Sequence, residues 1–596
     1  MGAIYGLVGE DDLKALAVMG ARLLHRGRSS GEWSVAPQVL FGERSHTGEA
    51  RCFEVEGSTL IGDADLYNSE ELIRELAGQG AQFDTNRPEE VILRGYARWG
   101  NQVFNRLNGD FAVAIWDSRN ASLLLVRDPL GARPLYYWQG AGMLAFASEY
   151  KALLALPMVP ATPDNDAVQT LQYSKYPPAN QTLLKGIFSV PAGHVMVWKQ
   201  GHLETHRFWD LAIEPKEALQ AEYASDVRAA FLKAIERRLV DMEVGGATLS
   251  GGVDSISVVA AARTVMPDLP FHTFTAGYGS DDPEMHTAEV VAQTFGTQHH
   301  PIVVDASAIP GRLTQVVWHL EDPIARSEVL QAFEVAQVAS QYVDVVLAGY
   351  ASDGLFAGMP KHKILRLIQR LPILKTPLEE FYSYTQVSVP PASLAGRALQ
   401  RVYYRGTDAL PPGVIGAKSI SPDPLPAVSP EFLNEVLRSG VVYGVPKWLP
   451  KAERMHMAHA LRFRSPFIDR DLVQLAFQIP DRYKISGWRE KHIFREAIKP
   501  LLPPEILNRP KFPQSMKYDL AFSEVMDAVS DLVLSPERVK SRGFFQVEDI
   551  QRLRRRPSDK AYTTEQSMRL WTAVMTELWA QTFIDQRGEP LPALQL

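Results

Sequence analysis

Seven residues, Leu249-Ser250-Gly251-Gly252-Val253-Asp254-Ser255, combine two adjacent glycines, two hydroxyls and a carboxylate where a strand pattern gives way to a helical one. The glycines let the backbone approach an anion, a helix N-terminus offers free amides and a positive dipole, and the hydroxyls can donate to phosphate oxygens. Asp254 would repel a bare phosphate, so a carboxylate in this cradle makes sense if Mg²⁺ bridges it to the phosphate oxygens. The loop lacks the Gly-Lys-Ser/Thr ending of a Walker A sequence, which excludes that route to a kinase or P-loop ATPase. A second carboxylate, Asp353, stands in Leu347-Ala348-Gly349-Tyr350-Ala351-Ser352-Asp353-Gly354, directly after an apolar run. Two carboxylates at two strand ends can share one divalent ion. Farther on, Lys491 lies in Trp488-Arg489-Glu490-Lys491-His492-Ile493-Phe494-Arg495. Its spacing from Arg495 predicts one shared helix face, and a fixed ammonium there could stabilise charge on an α-phosphate or a tetrahedral intermediate.

The elements that must carry these residues follow from periodicity. From Ile4 to about Phe208, short alternating apolar runs such as Phe111 to Trp116, Ser122 to Val126 and Leu144 to Ala147 predict stacked antiparallel sheets, interrupted by helices at Asp12 to Leu24 and Asn68 to Leu76. After Trp209 the texture becomes strand–helix alternation: a helix from about Glu217 to Leu239, strands at Gly246 to Leu249, Phe271 to Ala276, Pro301 to Val304 and Val343 to Leu347, and helices through Val258 to Val265, near Glu289 to Phe295 and at Gln331 to Tyr342. Such alternation predicts a parallel sheet covered on both faces, with ligands at the carboxyl ends of its strands. Two domains are therefore expected, 1–208 and 209–596, with a Pro- and Gly-rich insertion near 388–430.

Composition narrows the function classes. The 596 residues carry 46% hydrophobic and 22% charged side chains, values of a folded globular chain. A net charge of −7 gives no global positive field for nucleic acid or an anionic membrane, so neither is an expected partner. The single Cys52 excludes a disulfide framework or a multi-thiolate zinc site within one chain. Glu10, Asp11 and Asp12 stand where a secretion signal needs a basic flank and an apolar run, and no stretch is long and apolar enough to span a bilayer, so the expected location is cytoplasmic.

Taken in order, the Ser250 loop, the Gly349 to Gly358 segment, Arg464-Ser465-Pro466-Phe467-Ile468-Asp469, Lys491 to Arg495 and Asn508-Arg509-Pro510-Lys511 resemble the asparagine synthetase family. The first half resembles that family's glutaminase domain through His25-Arg26-Gly27, Asn108-Gly109-Asp110-Phe111 and Arg127-Asp128-Pro129-Leu130-Gly131. The resemblance covers nearly the whole chain. It implies an α/β protein of two domains: an N-terminal Ntn-hydrolase-like αββα sandwich, and a C-terminal sheet of the adenine-nucleotide α-hydrolase kind that adenylates a carboxylate with ATP and Mg²⁺ and releases pyrophosphate. It assigns Leu249, Ser250, Gly251, Gly252, Asp254, Ser255 and Gly349 to nucleotide binding, Asp254 and Asp353 to the metal, and Lys491 and Tyr350 to catalysis.

Departures from the family pattern carry the finer reading. The glutaminase needs a cysteine at position 2, where this chain has Gly2; its Asn-Gly-Glu pocket reads Asp63-Ala64-Asp65, and the Asp that would hold the glutamine amine falls at Pro88. Glycine has no nucleophile to offer, so glutamine hydrolysis is not expected. Tyr350 replaces the Glu that acts as general base in asparagine-forming members and resembles the β-lactam synthetase branch, where a Tyr works with a Glu. Arg462 stands where amide-forming relatives carry Glu. With no ammonia source, the amine is expected to belong to the substrate, and the resemblance extends to the lasso-peptide macrolactam synthetases. These imply a precursor peptide as substrate, with a leader-binding protein and a leader peptidase as partners. A β-lactam or carbapenam synthetase, or an ammonia-dependent asparagine synthetase, is the alternative.

Overall fold

The computed structural model describes residues 2–46, 48–174, 180–279, 282–324, 327–371, 376–380, 393–394, 425–507 and 518–595. The insertion expected near 388–430 and the Asn508 to Lys511 motif lie almost wholly or wholly outside the described residues. No described helix is long and apolar enough to cross a membrane.

The first half forms two antiparallel six-stranded sheets. One runs in the order Ile187–Ser189, Tyr136–Gly140, Met143–Ala147, Gly2–Val8, Val39–Ser45, Ser29–Ala36, and the other in the order His202–Arg207, His194–Lys199, Ser122–Arg127, Gly109–Asp117, Ser58–Leu66, Phe53–Val55. Alternation places Ile4, Val8 and Phe41 of one sheet against Ile61, Ala112, Ala114 and Leu123 of the other, closing a dry layer between them. Helices Ser69–Gly78 and Pro88–Trp99 cover the outer face of the second sheet. The outer face of the first packs on helix Leu13–Ala21 and, from the second half of the chain, on helices Ile309–Leu320, Leu520–Val533 and Thr564–Ala580, with Trp571 and Trp579 fully buried among them. The helical layer over this sheet thus comes largely from sequence hundreds of residues away, and the two domains share one core.

The second half holds a five-stranded parallel sheet ordered Gln298–Val303, Phe271–Gly277, Gly245–Thr248, Val345–Leu347, Arg462–Arg464. Several boundaries differ from the sequence expectation for local reasons. The helix expected near Glu289 begins at Pro283, because Asp282 caps it by accepting from the Glu284 amide at 2.9 Å and proline suits the first helical position. The strand that follows this helix pairs from Gln298, ahead of Pro301; a proline is tolerated there because the strand lies at the sheet edge. Strand order reverses between Gly245–Thr248 and Val345–Leu347, and the crevice beyond the carboxyl ends of such neighbours is where parallel sheets bind ligands.

Candidate functional site

Both candidate carboxylates emerge at that reversal. After Thr248 the chain turns through Leu249 to Gly252 into helix Val253–Val265, so Asp254 sits in its first turn. The turn is held from inside: the Ser250 amide donates to the Ser255 hydroxyl at 3.0 Å, and that hydroxyl donates to the Ser250 carbonyl at 2.9 Å. Ser255 is thereby used to shape the loop. The Ser250 hydroxyl, 3.0 Å from it, also accepts from the Gly252 amide at 3.3 Å.

The neighbouring strand leads through Ala348, Gly349 and Tyr350 into the five-residue helix Ser352–Phe356. Gly349 is the point of contact between the two loops: a Cβ there would lie 3.0 Å from the Asp254 Cβ and 3.1 Å from the Ser255 amide. Ala351 and Ala357, on either side of the short helix, have φ of 72° and 58°. Left-handed alanines cost roughly 1 kcal/mol or more each. The backbone is therefore bent at both ends of the segment that presents Asp353.

Lys491 joins the pair. Its Nζ lies 2.6 Å from Asp254 Oδ1 and 2.6 Å from Asp353 Oδ1, and the Ser352 hydroxyl donates to Asp254 Oδ1 at 2.7 Å. Burial opposes the ammonium charge, but Asp254 and Asp353 outweigh it and hold Lys491 above the ordinary lysine value. It is a fixed positive charge at neutral pH. The expected helical face shared with Arg495 is corrected: Lys491 precedes helix His492–Ile498 as its left-handed N-cap, φ 54°, which turns its side chain back toward the two aspartates. Arg495 is inside the helix and donates to the Leu507 carbonyl at 3.3 Å.

Tyr350 stands apart. Its ring is partly buried, edge-on to Trp448 and Phe463 with centroids 5.3 and 5.6 Å away, and its carbonyl accepts from the Ser465 hydroxyl at 2.8 Å. Burial pushes its phenol up to about 12, so at neutral pH it carries its proton.

Gly358 and His362 complete the site and were not singled out from sequence. A Cβ on Gly358 would lie 1.9 Å from the Lys491 Cε and 2.0 Å from Asp353 Oδ1, so only glycine leaves the lysine room. His362 accepts from the Met359 amide at 3.2 Å, fixing the turn that follows Gly358, and burial pushes it down to about 3, keeping it neutral. A signal was available for His362: with Pro360 at the first position of helix Pro360–Arg370, it falls where a capping side chain reaches back.

In the first domain, position 2 leaves no room for a side chain. Gly2 opens strand Gly2–Val8, where a Cβ would lie 1.7 Å from the Arg44 carbonyl oxygen, and its amide donates to Asp63 Oδ1 at 3.3 Å. Arg26, fully buried, donates to Glu149 at 2.9 Å, to Asp63 at 3.4 Å and to Glu453 of the second domain at 3.1 Å. Cys52 offers no ready thiolate, since burial, with Glu43 and Glu54 beside it, pushes its thiol up to about 12.

Asp254, Asp353 and Lys491 thus lie together beside a glycine-lined turn, in a chain whose first half is a two-sheet sandwich. Residues 1–209 match the glutamine amidotransferase domain family and residues 226–581 the asparagine synthase family. The chain belongs to the asparagine synthase family, a family of ATP-dependent ligases. A Mycobacterium tuberculosis protein that carries the provisional name asparagine synthetase [glutamine-hydrolyzing] is 29% identical over 99% of this chain and 98% of its own. Asparagine synthetase [glutamine-hydrolyzing] 1 of Bacillus subtilis is 26% identical over 97% and 95%. Among solved structures, a B. subtilis glutamine phosphoribosylpyrophosphate amidotransferase covers 51% of this chain and 90% of its own with 12% identity and a TM-score of 0.29, too low to add to the argument.

Proposed function

We propose that this family member adenylates a carboxylate of its substrate and closes a lactam with an amine of the same molecule, the substrate being the precursor of a lasso peptide. The observation that carries the reading is a contrast between the two domains: Lys491 joins both aspartates at the strand ends, while position 2 of the first domain has neither a nucleophile nor room for one. On this reading residues 1–208 are a catalytically inactive glutaminase-like domain and 209–596 the synthetase domain.

The donor set suits ATP and Mg²⁺. Two carboxylates from separate loops already share one cation, the Lys491 ammonium, and hard oxygen donors of this kind are what Mg²⁺ takes together with phosphates. Asp254 and Asp353 would hold the ion in place of the ammonium between them, leaving Lys491 to turn toward the phosphates, and the ion would supply neutralisation of the phosphate charge. Leu249 to Gly252 and Gly349 would face the nucleotide, Ser255 keeping the turn in shape. The peptide carboxylate attacks the α-phosphorus, pyrophosphate departs, and the peptide amine then displaces AMP from the acyl carbon. Lys491 stabilises the charge that develops in both steps, an effect worth about 10² to 10³ in rate for a comparable donor. Tyr350 relays the amine proton; a phenol near 12 cannot retain negative charge at neutral pH, so it works with a second acceptor. Holding amine and carboxylate in one molecule is worth up to about 7 to 11 kcal/mol when geometry is right. A leader-binding protein and a leader peptidase are the partners this reading brings.

Tyr350 at the general-base position favours one second reading, a β-lactam-type synthetase. Incubation with ATP, Mg²⁺ and each candidate substrate, read by mass spectrometry, separates them: loss of one water from a peptide supports the proposal, loss of water from a β-amino acid the second reading. Release of glutamate from glutamine coupled to asparagine formation overturns both.

A further inference from the structure

The Asp63-Ala64-Asp65 string also reaches across the domain boundary. Asp65 ends in the synthetase half: its Oδ1 accepts from Arg464 Nη2 at 3.0 Å and its Oδ2 from Arg464 Nε at 3.3 Å, while Arg133 of its own domain donates to Oδ2 at 2.8 Å. Both Asp65 and Arg464 are buried. Asp241 pairs with the outer side of the same guanidinium at 2.6 Å, and the Arg238 carbonyl accepts from it at 2.8 Å. Arg464 therefore has no rotamer freedom.

Arg464 is also the last residue of the strand that flanks Val345–Leu347. Its carbonyl accepts from the Ala348 amide at 3.0 Å, and the hydroxyl of the next residue, Ser465, donates to the Tyr350 carbonyl at 2.8 Å. Between these two bonds lies Gly349, in contact with Asp254 and Ser255. Three consecutive residues of the candidate nucleotide loop are thus set by one strand end, and that strand end is clamped by a carboxylate of the first domain.

We propose that Asp65 is a positioning residue: through Arg464 and Ser465 it fixes the Ala348–Tyr350 loop, so that the first domain, without glutaminase chemistry, is part of the framework of the synthetase site. The inference rests on the reading of that site as a MgATP site. A buried carboxylate at position 65, facing Arg133, Arg462 and Arg464, balances their charge.

The test uses the full-length protein and two readouts, amide hydrogen exchange and MgATP affinity by calorimetry. In Asp65→Asn, exchange across 345–352 is expected to quicken about tenfold while 271–277, in the same sheet, is unchanged, and MgATP affinity falls several-fold. Asp65→Glu, which keeps the charge, recovers most of the protection. Effects of Asp65→Asn and Ser465→Ala on affinity are expected to be non-additive, because both act on one strand end. If Asp65→Asn does not fold, Asp65→Asn/Arg462→Gln restores the charge balance and still removes the clamp, with Arg462→Gln alone as control. Unchanged exchange at 345–352, equal quickening at 271–277, or additive effects would overturn the proposal. Failure of the unaltered protein to bind MgATP would instead refute the nucleotide reading, leaving the exchange result to judge the clamp.

Discussion

Adding one methyl group at Gly358 separates the chemistry of the site from the stability of the fold. The new Cβ would lie 1.9 Å from the Lys491 Cε and 2.0 Å from Asp353 Oδ1. A carbon–carbon contact is comfortable near 3.5 Å, so the Cε has to retreat by roughly 1.6 Å. Both obstructing atoms are the ends of side chains, and Gly358 lacks a positive φ, so the backbone can stay where it is. Gly358→Ala is therefore expected to melt within a few degrees of the unaltered protein yet to lose its ammonium position. A misplacement of about 1 Å can cost about 10² in rate, and complete loss of a comparable charge-stabilising donor about 10² to 10³. Substrate-dependent ATP–pyrophosphate exchange should fall by at least about 10²-fold. Exchange within threefold of the unaltered protein would refute the reasoning, because it would mean that the reaction does not depend on where the Lys491 ammonium is held beside Asp254 and Asp353.

Lys491→Met should abolish exchange, and Lys491→Arg should not rescue it, since a planar fork cannot occupy a site sized for one ammonium; recovery above a tenth of the original rate would contradict this. Gly2→Cys should release no glutamate from glutamine and should lower the melting temperature, because even its Cβ meets the Arg44 carbonyl oxygen; measurable glutaminase activity would count against the closed pocket. Asp110 accepts from the Tyr67 hydroxyl at 2.8 Å, and its burial, only partly offset by Arg238, raises it to about 6. Being raised, it favours the fold below its unfolded value near 4 and withdraws that support as pH climbs through 6. Asp110→Asn should therefore gain on the unaltered protein by up to roughly 3 kcal/mol between pH 4 and pH 7.5 in denaturant titrations, and a difference independent of pH would refute the assignment.

Local signals account for what could be read before the structure. Paired glycines at a strand end marked the Ser250 turn, and an apolar run followed by small residues marked the Asp353 segment, because both features are set by near neighbours in sequence. Lys491 shows where this fails: its spacing to Arg495 reads as helix, but the left-handed turn that aims it at the aspartates is imposed by the site. Gly358 could not be distinguished from other glycines, since what it makes room for lies 133 residues away at Lys491. The helical cover of the first sheet was equally hidden, because Leu313, Met526 and Trp571 carry ordinary helical periodicity that says nothing about which sheet they meet. Asp282 and Pro283 did mark their helix start, and periodicity alone placed it too late.

Adenylation is tested most directly by the fate of carboxylate oxygen. With ¹⁸O in the reacting carboxyl of the peptide, the account predicts one ¹⁸O atom in the AMP released, and one water lost from the peptide. Label appearing in inorganic phosphate instead, with ADP as the nucleotide product, would contradict it.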